Sequence, residues 1–106
     1  MRTLASALLL PFLIACGSIQ AHHVNTGQPS PPHTGDVRVV LLGSPEPSPF
    51  REIAIIQVRA HGNKANLPSV VQAMQERARQ LGCNAVIRVR IDQGTAMAAN
   101  GICGVL

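Results

Sequence analysis

Three cysteines carry most of the reactive chemistry open to this 106-residue sequence, and their settings divide them into one and two. Cys16 closes Leu13-Ile14-Ala15-Cys16, the order of a lipobox: a branched apolar residue, a tolerant position, a small residue, then a thiol that can take up diacylglycerol. Met1-Arg2 supplies a positive start, and Leu4 to Ala15 an apolar stretch broken by Ser6. That stretch is shorter than the roughly 20 residues of a bilayer-spanning helix and has the dimensions of a secretory core. The expectation is a lipoprotein signal peptide over residues 1–15. Cys16 would then be the lipidated N-terminus, held by acyl chains whose buried methylenes contribute about 0.8 kcal/mol each. The competing reading is plain secretion with cleavage after Ala21, which leaves His22 at the new N-terminus, where it could chelate a metal with its amine. Gly17-Ser18 lacks the aspartate that retains lipoproteins in the inner membrane. The expected address is the outer membrane, facing the periplasm.

With Cys16 consumed by lipid, Cys83 and Cys103 remain as an even pair in an oxidising compartment. A bridge between them closes a loop of about 20 residues and stabilises by roughly 3 kcal/mol in the chain-entropy model. Two free buried thiols are the plainer alternative. A metal site is a third, but two cysteines and His61 fall short of the four ligands of a structural zinc. His22, His23 and His33 precede the domain in a Pro-rich stretch and read as solvated. No nucleophile stands beside a base, and Glu46, Glu52, Glu76 and Asp92 form no evident pair, so neither an enzyme nor a cofactor is expected.

The elements that would position these residues follow from periodicity. Residues 16–36 read as a flexible Pro/Ser tether, because Gln28-Pro29-Ser30-Pro31-Pro32 favours extended polyproline II at about 3.1 Å per residue. Residues 37–106 read as one small α+β domain. Val37–Leu42 alternates as a strand with Val37, Val39 and Leu41 on one face. Prolines at 45, 47 and 49 then force a loop. Ile53–Ala60 is a second strand, with Ala54, Ile56, Val58 and Ala60 inward. Asn66–Leu81 switches to helical spacing through Leu67, Val70, Val71, Met74, Ala78 and Leu81. Asn66 or Ser69 caps its start, Pro68 fits the first turn, and Gly82 ends it. Ala85–Ile91 is a third strand with Ile87, Val89 and Ile91 inward, and Gly101–Leu106 a short last one. The predicted order is β-β-α-β-β, one helix packed on one face of a three- to four-stranded sheet.

The helix-to-strand junction Leu81-Gly82-Cys83-Asn84-Ala85-Val86-Ile87 is similar to the Gly-Ala-Asn-Ala-Val junction of YbjQ-type "heavy-metal-binding" domains and RcsF-type outer-membrane lipoproteins. The closing Gly101-Ile102-Cys103-Gly104-Val105 resembles their terminal strand, which carries a cysteine in the RcsF group. The resemblance covers Phe50 to Leu106. It implies a small disulfide-stabilised α+β domain on a lipid anchor that acts by contacting other envelope proteins. RcsF-type domains carry four cysteines in two bridges and this domain carries two, so no partner-binding residue transfers, and the metal label finds no ligand set.

The formal charge is +4, or +3 once Arg2 leaves with the signal peptide, and no run of Lys or Arg suggests nucleic acid. Phe50 is the single aromatic after the signal, which removes any stacking platform. One surface is distinctive. Strand alternation projects Arg38, Arg59, Arg88 and Arg90 from the sheet face opposite the helix. Arginines solvate an open sheet, which is the bland account; the sharper one is a docking face for an acidic envelope protein, or an anionic glycan or lipid. The leading expectation is a non-enzymatic envelope lipoprotein, a protein-binding or stress-sensing module anchored at Cys16. The alternative is a structural lipoprotein that self-assembles by pairing through its sheet.

Overall fold

The computed structural model describes residues 17–106, so the expected signal peptide and Cys16 lie outside the described residues. The chain runs β1 (Gly17–Asn25), β2 (Arg38–Leu41), β3 (Arg51–Gly62), α1 (Leu67–Gln80), β4 (Ala85–Gln93) and β5 (Met97–Val105). The strands form a five-stranded sheet in the order β1-β3-β5-β4-β2. Pairing is antiparallel except between β2 and β4. The α+β class with one helix on one sheet face is as the sequence implies.

The helix forms where its signals lie. Asn66 Oδ1 accepts from the Ser69 amide at 2.9 Å, satisfying one of the donors left open in a first turn. Pro68 occupies that turn, and Arg77 and Arg79 sit in the last one, facing the carbonyl end. Gly82 follows at φ +87, a backbone state that side chains resist, and a Cβ there would also strike the Ser30 and Pro31 carbonyls. Val70, Met74 and Ala78 are fully buried against Ile56, Val58 and Ala60 of β3 and Val86, Val89 and Ala99 of β4 and β5. A buried side chain of Val, Ile or Met size contributes about 1.5–3 kcal/mol, so these residues dominate the fold's stability.

Three expectations need correction. The first is the tether. Gly17–Asn25 is an edge strand in register with β3, Gly17 opposite Gly62 and Asn25 opposite Ala54. Ile19 and Ala21 pack on the core while Ser18, Gln20 and His22 face outward. The next residues are also tied down. Thr26 and Gly27 donate to the Ile53 carbonyl, Arg51 binds the Gln28 carbonyl and Ser30 Oγ, and the His33 amide donates to the Arg79 carbonyl at the helix end. The sheet therefore has five strands, where three or four were expected.

The second correction is the phase of β4. Ile87 pairs with Ile102 and Arg90 with Asn100, so Arg88 and Val89 together stand opposite Gly101. This is a β-bulge, with Arg88 at φ 54. It turns Val86 and Val89 onto the helix side, where a Cβ at Gly101 would lie 2.5 Å from Val86 Cγ1. Ala85 and Ile87 face the other side, opposite to the strict alternation expected for Ile87. The third correction is in β2, where an irregularity between Val39 and Leu41 leaves Leu41 half exposed while Val40 is buried.

Cys83 and Cys103 form a disulfide, Cα–Cα 5.7 Å, with both residues fully buried in the core cluster. It joins the turn after α1 to β5, which pairs with β4 on one side and β3 on the other. The helix end and the sheet centre are thereby covalently linked.

Candidate functional site

The sheet face away from α1 is where the four arginines were expected to act, and its coverage is uneven. Residues 42–50 must travel from β2 at one edge to β3 across β4 and β5, and they do so over this face. Pro45, Pro47 and Pro49, which lack an amide donor, keep the crossing out of helix and sheet pairing. Beneath it Ala85 and Ile87 are buried, and Phe50 lies over Gly104. A pocket of about 390 Å³ remains between loop and sheet, bounded by Glu46, Phe50, Ile87, Arg88 and Ile102.

The rest of the face is open, and strand register gives its layout. One row across β1, β3 and β5 is apolar: Val24 opposite Ile55, and Ile55 opposite Ile102. Val24 is 67% exposed and Ile55 43% exposed, large values for branched apolar side chains. The next row is His22, Gln57, Asn100 and Arg90; the row after it is Gln20, Arg59, Ala98 and Asp92.

The four arginines therefore do not form one cluster. Arg38, opposite Ala85 on the far edge strand, lies near one end of the sheet, and Arg59 near the other. Between the Ala85 row and the Asp92 row lie about 20 Å at strand rise. Arg88 is the bulge residue and is engaged: its Nε donates to Glu46 Oε2 at 2.6 Å and its Nη2 to Glu46 Oε1 at 3.2 Å. That hydrogen bond, then the attraction of the same carboxylate, holds the guanidinium above its ordinary range. The pair fastens the proline loop to the sheet, with both side chains still wetted. Arg90 and Arg59 are left on the open part, in the first and second rows beyond the Ile55 row.

Glu46 was not singled out from the sequence as a partner for Arg88. The signal lay in Val86-Ile87-Arg88-Val89, where two adjacent apolar residues break alternation and mark a bulge. Arg77 was also missed. From the helix it donates to the Ala21 carbonyl at 2.7 Å and contacts His23 Nδ1 at 2.9 Å, clamping α1 to β1. A guanidinium can only donate, so the imidazole nitrogen accepts.

Among the described residues no group of three or more His, Cys, Asp or Glu could hold a metal ion. Both core thiols are spent in the disulfide, His23 meets Arg77, and His33 Nε2 meets the Asp36 carbonyl oxygen at 3.0 Å. Glu52 accepts from Thr26, and no polar or charged residue is buried among those described. Nor is any helix among the described residues long and apolar enough to cross a membrane.

Comparison with known proteins agrees with this architecture. Residues 54–105 are similar to the family YbjQ_1, described as "Putative heavy-metal-binding". The matched span contains most of β3, all of α1, β4 and β5, and both bridged cysteines. Among the described residues no cluster of metal-ligating side chains accompanies that description. A crystal structure of the Francisella virulence factor FvfA, in an orthorhombic form, has the same fold at TM-score 0.59 and 15% identity, covering 81% of this chain and 97% of that one. No curated protein sequence matches the chain. Neither description names a reaction, and the RcsF-type likeness is not distinguished by either.

Proposed function

We propose that the protein is a non-enzymatic lipoprotein of the bacterial envelope, processed before Cys16 and lipid-anchored on the periplasmic side of the outer membrane. The observation that carries this reading is that residues 17–21 are already built into the sheet, paired with β3. Cleavage before Cys16 keeps every described residue of that strand. Cleavage after Ala21 would remove five of its nine residues, among them Ile19 and Ala21, which pack on the core, and the carbonyl that Arg77 binds. The fold thus favours the lipobox over plain secretion.

Its work in this reading is binding, or sensing through binding. The open part of the outer sheet face offers an apolar row, Val24, Ile55 and Ile102, with Arg90 in the next row and Arg59 in the one after it. An exposed apolar row bordered on one side by cations suits an envelope protein with an acidic border. Changing Cys16 to Ser tests the anchor. The wild-type protein should carry an acyl mass on Cys16 and partition into detergent. The variant should lose both and remain a precursor or be cut after Ala21. Normal processing and detergent partitioning of the variant would remove the lipoprotein reading.

A further inference from the structure

The structure also bears on how such an anchor would seat the domain. We propose that the end of the sheet that pairs Gly17 with Gly62 lies directly on the bilayer, with Lys64 contacting anionic phospholipid headgroups. This rests on the lipoprotein reading and adds an orientation and a ligand class to it.

The argument begins with chain length. Neighbouring Cα atoms are about 3.8 Å apart, so a lipidated Cys16 is one peptide unit from a residue fixed in the sheet. Gly17 is paired with Gly62 and lies against the next loop: a Cβ built on it would fall on Asn63 Oδ1 and 2.8 Å from Lys64 Cγ. A tether of tens of ångströms is absent from this geometry. Acyl chains entering the membrane at Cys16 bring the Gly62–Leu67 segment to headgroup level with them.

The composition of that end suits the position. Lys64 is in the loop itself, and Leu67, at the helix start, is 47% exposed. Arg59 and Arg90 lie within a few residues of the same end, against the single carboxylate of Asp92. Among the described residues Lys64, Arg59 and Arg90 make no side-chain hydrogen bond, whereas Arg51 and Arg79 at the opposite end are spent on backbone carbonyls and Ser30. Glu76 shares a groove with Gly17 and Lys64 but is set back about 13 Å along the helix from Leu67. A cationic rim with one apolar side chain is what an anionic surface binds.

Lys64 is the only lysine in the chain, so amine acylation reports on this loop alone once the N-terminus is blocked by lipid. The experiment uses the mature protein in nanodiscs of phosphatidylcholine, with and without phosphatidylglycerol. Intact mass is measured first, then the rate at which a water-soluble acylating reagent modifies Lys64. A second protein carries a long Gly/Ser spacer between Cys16 and Gly17. The expected result is modification about fivefold slower in the anionic discs, the factor matching one cation at such a surface, with the slowing lost in the spacer variant. Equal rates in both discs overturn the headgroup contact. Slowing that survives the spacer assigns the surface to a second copy of the chain and overturns the proposal too. A mature protein without acyl mass on Cys16 removes the lipoprotein reading, and this proposal with it; an acylated protein with unprotected Lys64 removes this proposal alone.

Discussion

The two faces of the sheet are closed by different means. On the inner face α1 lays Val70, Met74 and Ala78 over β3, β4 and β5, and the disulfide fixes the helix end to the sheet. On the outer face a loop without regular structure covers only the end near Ala85 and Ile87, fastened by the solvent-exposed pair of Arg88 and Glu46. The rest of that face, around Ile55, is bare. A sheet with one unpartnered half and one solid half has its stability on one side and, in the function proposed, its contact surface on the other. The division can be broken or sharpened by substitution.

Neighbours in β3 give the sharpest contrast. Ile56 is fully buried on the inner face and Ile55 is 43% exposed on the outer. Ile56→Ala should cost about 3–4 kcal/mol, as a lost side chain plus the cavity it leaves, and Ile55→Ala under about 1 kcal/mol. Denaturant titration of both variants reads this directly. Similar costs would mean that the outer row is covered by something within the protein itself.

The bridge comes next. Cys83→Ser and Cys103→Ser should each destabilise by about 2–4 kcal/mol, and the double variant by little more, since either change already opens the loop. Non-reducing mass spectrometry should find the pair joined and closed to alkylation. Additive losses would show that each sulfur packs independently of the bond.

Ile87 tests the loop-covered end. It is buried, yet by the proline loop and Phe50 and not by the helix. A loop can settle into the space left by a smaller side chain, so Ile87→Ala should cost about 2 kcal/mol, less than Ile56→Ala. Hydrogen exchange should rise in residues 42–50 and leave α1 unchanged. Loss of protection in α1 would mean that the two faces unfold as one.

How much of this was legible depended on where the information lay. The helix announced itself because its signals are local: Asn66 to cap, Pro68 in the first turn, one apolar stripe and Gly82 to stop. β3 was equally plain, its alternation being kept from Ala54 to Ala60. β1 was not, because Ser18, Gln20, His22 and His23 dilute Ile19 and Ala21, and the proline run after it suggests an extended linker. What makes it a strand is pairing with β3, 29 to 45 residues away in sequence, together with the Arg77 clamp. The bulge in β4 shifted which residues face the core, although Val86-Ile87 hinted at it. The arginine face was half legible: alternation put Arg59 and Arg90 on the outer side, but it could not foresee that a loop would bring Glu46 to Arg88 or how far off Arg38 would lie.

The smallest expected effect on stability is also the one that decides what the bare half does. Arg90 stands one row and Arg59 two rows from the apolar row on the open face, and substitution of an exposed side chain away from the core should change stability by no more than about 0.5 kcal/mol. Reversing both to Glu therefore leaves the fold intact while inverting the charge beside Ile55. If the face only solvates the sheet, the doubly reversed protein melts like the wild type, reaches the same membrane and complements a deletion strain. If it docks an acidic partner, the melting curve is still unchanged but complementation fails, because like charges brought close across an interface penalise the contact by several kcal/mol. Sizing the purified protein separates this from self-assembly through the free edges of β1 and β2, which would make the wild type larger than a monomer. The nanodisc assay on Lys64 separates it from loss of lipid contact, since a variant that keeps Lys64 protected has kept its seat on the membrane and lost only its partner. A stable, correctly placed and fully complementing variant would leave Arg59 and Arg90 as solvating residues and retire the docking face.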